Sequence, residues 1–349
     1  MSRAERKLDH IQHALSTGQS GGSGFDDIRF VHQALPDSSV EDVTLHSVTG
    51  GLSMSSPFYI NAMTGGGGIR TMELNAAFAR AAGETGIALA VGSQMSALKD
   101  PSERETYAVV RKENPEGLIF ANLGSEASVS QAKEAVDMIE ANALQIHLNV
   151  IQELAMPEGD RDFRGALERI QAISEALPVP VIVKETGFGV SREAAGKLAE
   201  TSVQIIDAGG YGGTNFSRIE NNRQTRERTF FNEWGIPSAV SVIEAAHQKR
   251  KPVFASGGIR NSFDILKSLS LGASAAGVAG VFLKILSDEG EQQLIEEIRQ
   301  YQDDLKMMMA ALGCRTIDDL QKTSVIISGE TYHWLKLRGL NPERFASRS

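Results

Sequence analysis

The sequence predicts an α/β fold in which eight parallel strands close into a (β/α)8 barrel, also called a TIM barrel, with helices outside. Short apolar segments alternate with amphipathic helical segments from residue 57 onward. Strands that alternate with helices form parallel sheets, and eight such units in about 250 residues match this barrel. Glycines and hydrogen-bonding residues follow the apolar segments. A doubly wound open sheet is the alternative architecture.

The eight predicted strands are short apolar runs bounded by small or polar residues. They are Phe58–Ala62, Ala88–Gly92, Leu118–Leu123, Ala143–Leu148, Val181–Lys184, Val203–Asp207, Val253–Ser256 and Ser274–Val278. Amphipathic segments with helical spacing follow each of them. These are Met72–Glu84, Ser102–Asn114, Ser128–Ala141, Gly165–Ala176, Ser191–Glu200, Ser238–Lys249, Ser262–Leu271 and Glu289–Leu312.

The rest of the chain extends this barrel without adding a second domain. We predict an N-terminal segment over residues 1–56, the barrel over 57–313 and a C-terminal helical extension over 314–349. Arg3–Leu15 is predicted to be a helix with basic residues along one side, and the Gly/Ser-rich stretch 18–24 is predicted to be mobile. The Tyr211–Pro237 connection is too long for an ordinary loop, and such loops are usually functional or mobile.

Composition and charge exclude several classes of protein. The net charge of −9 argues mildly against broad nucleic-acid binding. Cys314 is the only cysteine, so no internal disulfide is possible, which fits a reducing cytoplasm. The N-terminus lacks the apolar run of a secretory signal, and no segment has the roughly 20 apolar residues that span a bilayer. We therefore expect a cytoplasmic protein with no membrane partner and no nucleic-acid partner.

The stretch Leu144–Glu153 places four polar side chains at the end of the fourth strand. His147 and Asn149 fall on one face of the strand, because side chains repeat every two residues. Gln152 and Glu153 are predicted to lie in the loop that follows. Active sites of such barrels are built where strands end. The alternative is a strand end in contact with water, with His147 bonded to a backbone carbonyl.

The ends of strands seven and eight predict a phosphate site. Ser256-Gly257-Gly258 and Gly277-Val278-Ala279-Gly280 let the main chain approach a ligand closely, and a short helix over Val281–Leu286 would direct its N-terminus at the phosphate. Two other glycine-rich stretches do not fit known nucleotide sites. Gly65–Gly68 lacks the Gly-Lys-Ser/Thr ending of a P-loop, and Asp207–Gly213 lies too late in the chain to open a dinucleotide-binding unit.

Lys184 ends an otherwise apolar strand. An inward-facing lysine needs an anionic partner, because an unpaired buried charge is costly. The residues leave several roles open: neutralising a cofactor, forming a Schiff base, or pairing with Glu185 or Asp207.

Together these motifs closely resemble type 2 isopentenyl diphosphate isomerases, the flavin-dependent form, and among them the bacillus-type bacterial enzymes. The resemblance covers nearly the whole chain, and Gln152-Glu153 is its most specific part. The motifs that carry it are Asn61-Ala62-Met63-Thr64-Gly65-Gly66, Val91-Gly92-Ser93-Gln94-Met95, Ala121-Asn122-Leu123-Gly124, His147-Leu148-Asn149-Val150-Ile151-Gln152-Glu153, Val183-Lys184-Glu185 and Gly209-Gly210-Tyr211-Gly212-Gly213-Thr214.

The resemblance implies FMN, Mg²⁺, NADPH as reductant, and interconversion of isopentenyl and dimethylallyl diphosphates in isoprenoid biosynthesis. Arg6 and Lys7 would clamp the substrate diphosphate, Gln152 would touch substrate, and Glu153 would bind Mg²⁺. His147 and Asn149 would orient the diphosphate or Gln152. The positions implied for the cofactor are Ala62, Met63, Thr64, Ser93, Asn122, Lys184, Thr214, Gly257, Gly258, Ala279 and Gly280.

Moving a double bond by one carbon needs one proton added and another removed. The predicted rim has no Cys–Glu pair for this, so following the family we expect reduced FMN to act as acid and base through N5. An FMN-dependent 2-hydroxy-acid oxidase is the alternative enzyme, and a non-catalytic flavin- or phosphate-binding module is another. The family is commonly a symmetric homo-oligomer, which implies a tetramer or octamer here.

Overall fold

The computed structural model describes residues 22–222 and 228–348, so Arg6, Lys7 and the predicted basic helix lie outside the described residues. The strands are β1 (Ile28–Phe30), β2 (Ser47–Thr49), β3 (Leu52–Met54), β4 (Phe58–Ile60), β5 (Ala88–Ala90), β6 (Ile119–Gly124), β7 (Ala143–Leu148), β8 (Val181–Glu185), β9 (Ile205–Asp207), β10 (Val253–Ser256), β11 (Ala275–Val278) and β12 (Val325–Ile327). The helices are α1 (Ile69–Thr85), α2 (Met95–Lys99), α3 (Glu105–Glu113), α4 (Val129–Met138), α5 (Val150–Ala155), α6 (Ala166–Ala176), α7 (Arg192–Ala199), α8 (Phe216–Asn221), α9 (Ser238–Ala246), α10 (Ser262–Ser270), α11 (Gly280–Asp288), α12 (Glu291–Ala311), α13 (Ile317–Leu320) and α14 (Gly329–Leu337).

Strands β4 to β11 form a closed parallel barrel, because β11 pairs with β4. The predicted (β/α)8 architecture is confirmed, and the closed sheet excludes the doubly wound alternative. Each of the eight predicted barrel strands and the eight helices that follow them has a counterpart, with ends displaced by a few residues. The prediction that Gln152 and Glu153 lie in a loop is wrong, because both lie on the short helix α5. Six residues give too little periodicity to identify a helix from sequence.

Local sequence signals set several of the helix starts. Ser128 begins α4 with a capping box: its hydroxyl accepts from the Gln131 N–H at 3.3 Å, and the Gln131 side chain accepts from the Ser128 N–H at 2.9 Å. Asn261 caps α10 by accepting from the Asp264 N–H at 2.9 Å. Such caps satisfy N–H groups that have no partner inside the helix. They fix where each outer helix leaves the rim of the barrel.

Aromatic rings fill the barrel interior. The Tyr59 ring lies 5.7 Å from that of Phe120 and 5.6 Å from that of Phe254, measured between centroids. The β2–β3 hairpin covers the N-terminal end of the barrel, because Leu52 and Met54 pack into the same interior cluster. The opposite end, where the strands have their carboxyl termini, holds the cavity described below. The interior is therefore a packed core beneath a binding site, as in other barrels of this type.

The two extensions contact each other and the barrel. Strand β1 pairs antiparallel with β12, so the C-terminal extension contains a strand as well as its predicted helices. Helix α14 is tied to the barrel through Glu244 of α9, a fully buried carboxylate. Arg338 Nε donates to Glu244 Oε1 at 2.9 Å, and Trp334 Nε1 donates to the same oxygen at 3.3 Å. Within the described ranges, no helix has both the length and the apolar character needed to cross a membrane.

The long Tyr211–Pro237 connection contains α8 and a 3-10 turn at Thr229–Phe231, and its residues 223–227 lie outside the described part of the chain. Its two ends meet in a bridge between Tyr211 and Pro237. In its middle, Arg228 Nη1 donates to the carbonyl oxygen of Ala155 at 3.1 Å. The connection therefore links the end of β9 to α5, the helix that carries Gln152 and Glu153.

Candidate active site

A cavity opens at the carboxyl ends of β4, β8, β9, β10 and β11, and we call it the rim cavity. The cavity is partly open to solvent. Most residues predicted to hold FMN line it. Its lining consists of Asn61, Ala62, Met63, Lys184, Glu185, Thr186, Gly187, Gly209, Gly213, Thr214, Phe216, Ser256, Gly257, Gly258, Ile259, Gly277, Ala279 and Gly280.

Thr64, Ser93 and Asn122, also predicted for the cofactor, do not line the rim cavity. The Thr64 hydroxyl donates to Asn75 Oδ1. The carbonyl oxygen of Ser93 accepts from the Tyr107 hydroxyl at 2.5 Å. These two residues brace the neighbouring loops, and Asn122 belongs to a network described below. The structure thus divides the predicted cofactor residues into a set that lines the cavity and a set that does not.

Lys184 lines the rim cavity and is only 7% exposed. Its ammonium donates to the carbonyl oxygen of Glu185 at 3.1 Å, and no carboxylate oxygen of the described residues lies within 4.0 Å of it. Asp207, on the adjacent strand, instead accepts from the Tyr59 hydroxyl at 2.9 Å and the Ser256 hydroxyl at 2.7 Å. Neither alternative ion pair is formed, so the buried ammonium has its charge available for an anionic ligand.

Thr186, which sequence reasoning missed, supplies a second group that points to a ligand. Its hydroxyl is buried and has no hydrogen-bond partner among the described residues, and the residue lines the rim cavity. A buried hydroxyl without a partner is costly, and a bound molecule with a suitable polar atom would satisfy it. Its position directly after Lys184-Glu185 was the available sequence signal, but a hydroxyl there is common in turns.

The glycines around the predicted phosphate site are required for two different structural reasons. Gly257 and Gly258 have φ angles of 91° and 67°, and a Cβ on Gly257 would lie 2.0 Å from the Gly210 carbonyl oxygen. These two are required by the backbone and by the packing of neighbouring loops. A Cβ on Gly280 would meet nothing within 4 Å. Gly280 begins α11, the helix predicted over Val281–Leu286, so its open side provides room for a ligand at the helix N-terminus.

The Gly65–Gly68 loop does not offer its N–H groups to a ligand. Glu103 Oε2 accepts from the N–H of Gly67 at 2.9 Å and from that of Gly68 at 3.3 Å. The N–H of Gly66 donates to the Thr106 hydroxyl at 3.2 Å. The loop is an anion-binding turn that the chain's own carboxylate occupies. This agrees with the absence of a P-loop ending in its sequence.

His147 lies next to the rim cavity, because it pairs in register with Lys184 across β7 and β8. Its Nδ1 is 2.9 Å from Asn122 Oδ1, and Asn122 Nδ2 donates to Gln145 Oε1 at 3.1 Å. The N–H of Asn122 donates to Gln94 Oε1 at 3.0 Å. This network of buried amides fixes the orientation of the imidazole ring. The described partner of Nδ1 is this side-chain amide and not the backbone carbonyl of the alternative.

Asn149, Gln152 and Glu153 lie close together: Asn149 directly precedes α5, and the other two are on it. Asn149 Nδ2 donates to Glu153 Oε1 at 2.8 Å, and the Asp160 N–H donates to Glu153 Oε2 at 2.8 Å. Gln152 Nε2 donates to Oε1 of Glu220 on α8 at 3.4 Å. The described residues contain no group of three or more His, Cys, Asp or Glu side chains suited to a metal ion. Glu153 is therefore a single oriented carboxylate, which matches Mg²⁺ sites that take their other ligands from water and phosphate.

Comparison with known proteins agrees with the fold. The model of the FMN-dependent dehydrogenase family matches residues 102–327. A mandelate oxidase mutant with the monooxide FMN adduct superposes with a TM-score of 0.64 at 16% identity, over 90% of this chain and 95% of that one. An oxidized active mutant of (S)-mandelate dehydrogenase gives 0.65 at 18% identity, over 92% and 99%. The fold and the rim cavity define an enzyme of the FMN-dependent α/β-barrel class.

Curated relatives give a finer assignment. The isopentenyl-diphosphate delta-isomerase of Bacillus pumilus is 57% identical over 350 residues, covering 100% of this chain and 99% of that protein. The proteins of the same name from Bacillus licheniformis and Geobacillus sp. are 57% and 56% identical over 349 residues, with full coverage of both chains. The chain belongs to the isopentenyl-diphosphate delta-isomerase family, in its FMN-dependent form, and the resemblance seen in the sequence is confirmed.

The open side of Gly280 gives a direct test of FMN binding. Gly280→Ala is expected to weaken FMN binding about tenfold, because an added methyl in a close-packed site costs roughly 1–3 kcal/mol. Stability should not fall, since alanine is favoured over glycine in helices. Gly196→Ala on α7 is the matched control, because a Cβ there also meets nothing within 4 Å. Titration of FMN fluorescence measures both affinities, and equal affinities would remove Gly280 from the cofactor site.

Proposed function

We propose that this enzyme interconverts isopentenyl and dimethylallyl diphosphates, with reduced FMN in the rim cavity, NADPH as reductant and Mg²⁺ on the diphosphate. The observation that carries the proposal is the adjacency of two sites. Lys184 of the rim cavity pairs in register with His147, and the oriented polar groups of Asn149, Gln152 and Glu153 follow on the same side of the barrel. A flavin ring and a diphosphate could therefore be held next to each other.

The residues of the rim cavity suit FMN in their chemistry. The Lys184 ammonium can neutralise the negative charge of the reduced ring, and the Thr186 hydroxyl can hydrogen-bond to a polar ring atom. Gly258, Ala279 and Gly280 surround the space for the ribityl phosphate. When bound and reduced, FMN would supply an acid and a base at N5 for the movement of protons on substrate.

The described lining lacks the cysteine of the Cys–Glu pair that would move protons without a flavin. The rim cavity contains neither cysteine nor histidine there. Cys314 lies outside the barrel, 2% exposed, with its Sγ 3.0 Å from the Thr323 hydroxyl. In this proposal, the side chains around the cavity bind substrate, orient it and exclude water, which protects a carbocation-like state.

Glu153 is proposed as the protein ligand of Mg²⁺, with the remaining ligands from water and the substrate diphosphate. Both carboxylate oxygens are already oriented, by Asn149 and by the Asp160 N–H. Glu153→Gln is expected to raise the Mg²⁺ concentration needed for half-maximal turnover about tenfold or more, because a neutral amide attracts the cation less. The control is Glu158→Gln in the neighbouring exposed loop. An unchanged Mg²⁺ titration would exclude Glu153 as the ligand.

Arg6 and Lys7 are proposed to bind the substrate diphosphate through charge-assisted hydrogen bonds. The described chain begins beside the rim cavity: the Ser23 carbonyl oxygen accepts from the Ala239 N–H at 2.9 Å, and Ser23 Cβ would lie 2.9 Å from a Cβ on Gly258. Roughly 15 residues separate Lys7 from this anchor, which is about 24 Å of helix and more if extended. Both basic side chains can therefore reach the rim.

Incubation with isopentenyl diphosphate, FMN, NADPH and Mg²⁺ in D2O tests the proposed reaction. We expect dimethylallyl diphosphate that carries deuterium, because one proton is added and another is removed. Gln152→Ala should retain FMN but lose most turnover, since Gln152 is proposed to contact substrate and does not line the rim cavity. Absence of both product and deuterium uptake in the unaltered protein would refute the proposal.

The match to the FMN-dependent dehydrogenase family favours a 2-hydroxy-acid oxidase as the second candidate. That reaction needs a histidine base and an arginine for the substrate carboxylate, and the described lining of the rim cavity contains neither. Reduction of bound FMN by lactate, glycolate or mandelate would support it. The homo-oligomeric state and the cytoplasmic location stay predictions.

A further inference from the structure

Glu185 is a buried carboxyl group at the end of β8 with no part in the chemistry proposed above. It is 9% exposed. Its Oε2 accepts from the N–H of Phe188 at 2.5 Å and from that of Gly189 at 3.0 Å. Both donors belong to the turn that follows the strand. The carboxyl group therefore closes this turn from within, as a capping side chain closes the first turn of a helix.

The turn that Glu185 closes carries two residues of the rim cavity, Thr186 and Gly187. Its backbone is further held by the Gly209 carbonyl oxygen, which accepts from the N–H of Gly187 at 2.9 Å and from that of Gly189 at 3.0 Å. Thr186 lies between Glu185 and the hydrogen-bonded Gly187, so the conformation of the turn sets the direction of its unpartnered hydroxyl. The position of that hydroxyl therefore depends on Glu185.

The same turn also holds one end of the Tyr211–Pro237 connection. The Phe188 carbonyl oxygen accepts from the Ile236 N–H at 2.9 Å, and the Ile236 carbonyl oxygen accepts from the Tyr211 N–H at 2.8 Å. On its other side, the Glu185 carbonyl oxygen accepts from the Lys184 ammonium at 3.1 Å. One residue thus connects the buried cation, the hydroxyl at the cavity wall and the long connection.

We propose that Glu185 is a positioning residue of the cofactor site: its carboxyl group holds the 186–189 turn so that the Thr186 hydroxyl faces bound FMN beside the Lys184 ammonium. The inference rests on FMN binding in the rim cavity and not on the isomerisation. It accounts for a polar side chain at a buried position where an apolar residue would otherwise be favoured, because buried polar groups are costly unless they are hydrogen-bonded.

The charge of Glu185 adds a dependence on pH. Burial raises the pKa of Glu185 to about 8, although the turn N–H groups and the Lys184 ammonium lower it. The group is therefore neutral below about pH 8 and ionised above it. The titratable groups on the adjacent strands are His147 on β7 and Asp207 on β9, and the charged group that acts on this pKa is Lys184. Ionised Glu185 places a negative charge beside Lys184 and opposes binding of an anionic reduced flavin.

The first experiment removes the carboxyl group and measures FMN affinity by fluorescence quenching. Glu185→Ala is expected to bind FMN at least tenfold more weakly, because the turn is released. Glu244→Gln is the matched control: Glu244 is also a buried carboxylate that accepts a main-chain N–H, from Arg192 at 2.7 Å, but it does not line the cavity. That variant should be less stable and yet bind FMN within twofold of the unaltered protein. Unchanged affinity in Glu185→Ala would overturn the proposal.

The second experiment separates the effect of the Glu185 charge from the effect of its hydrogen bonds. It uses a substitution of nearly equal size, so no space is left in the packing. Glu185→Gln keeps an oxygen that can accept from the turn but cannot ionise. We expect reduced FMN to bind this variant and the unaltered protein within twofold of each other at pH 6, and to bind the variant at least threefold more tightly at pH 9. The same ratio at both pH values would contradict the assignment. Both experiments measure flavin binding, so they remain informative if isopentenyl diphosphate is not the substrate.

Discussion

Replacing Arg338 with alanine is expected to lower the free energy of unfolding by about 3 kcal/mol, the lower end of the range for a broken buried ion pair. Glu244 is fully buried, and Arg338 is the cation that compensates it, with Nε 2.9 Å from Glu244 Oε1. Removal of the guanidinium leaves a buried carboxylate whose remaining donors among the described residues are the Trp334 and Arg192 N–H groups. The lower end of the range applies because the Arg338 side chain is 34% exposed, so water can partly replace it.

Urea unfolding of three variants would test this expectation. Arg315→Ala is the control, because Arg315 and Asp42 form an ion pair with a 3.8 Å separation and more than half of each side chain exposed. Such surface pairs contribute about 0–1 kcal/mol. The double variant Arg338→Met with Glu244→Leu should regain most of the lost stability, since apolar residues can replace a buried pair. A loss in Arg338→Ala no greater than in Arg315→Ala would show that this contact does not hold α14 to the barrel.

Replacing Lys184 with methionine is expected to weaken binding of reduced FMN by about 10- to 100-fold, the effect of losing one hydrogen bond to a charged group. The oxidised ring carries no such charge, so its affinity should fall less. The apoprotein, in contrast, should gain stability or keep it. Methionine is similar in length and removes a buried charge that has no carboxylate within 4.0 Å in the described residues.

These opposite signs distinguish a ligand-binding lysine from a structural one. Lys197→Met on the exposed face of α7 is the control, and it should change neither flavin affinity nor stability. Thermal unfolding of the apoprotein and anaerobic titration with reduced FMN provide the two measurements. A less stable apoprotein with unchanged flavin affinity would assign Lys184 to the structure of the barrel and remove it from the cofactor site.

The barrel could be predicted from sequence because its signals are local and repeated. Each strand is a short apolar run, and each outer helix has its own periodicity, so an error in one unit does not disturb the others. The lining of the rim cavity followed from the same rule, since residues directly after strands of one sheet must meet at one end. The rule placed Ala62, Lys184 and Gly258 at this end, whereas the family resemblance assigned them to the cofactor.

The features that escaped prediction depend on contacts between distant segments or on short elements. Glu103 occupies the Gly65–Gly68 loop from another part of the chain, and nothing in either stretch indicates the pairing. Thr186 gains its importance from the turn that Glu185 closes. Helix α5 has only six residues, so the polar side chains that identify the family gave no reliable periodicity.

The pairing of β1 with β12 joins Ile28 to Ile327, at opposite ends of the sequence. During synthesis on the ribosome, the early strand has no partner until nearly the whole polypeptide has emerged. The β1 segment, which follows the Ser23 contact with Ala239, can therefore be fixed by β12 only after the barrel strands have been made. Such a contact of high sequence separation is slow to form. Arg6 and Lys7, proposed above to bind the substrate diphosphate, precede β1 in the chain. Truncation of the segment that contains β12 is therefore expected to impair substrate binding as well as stability.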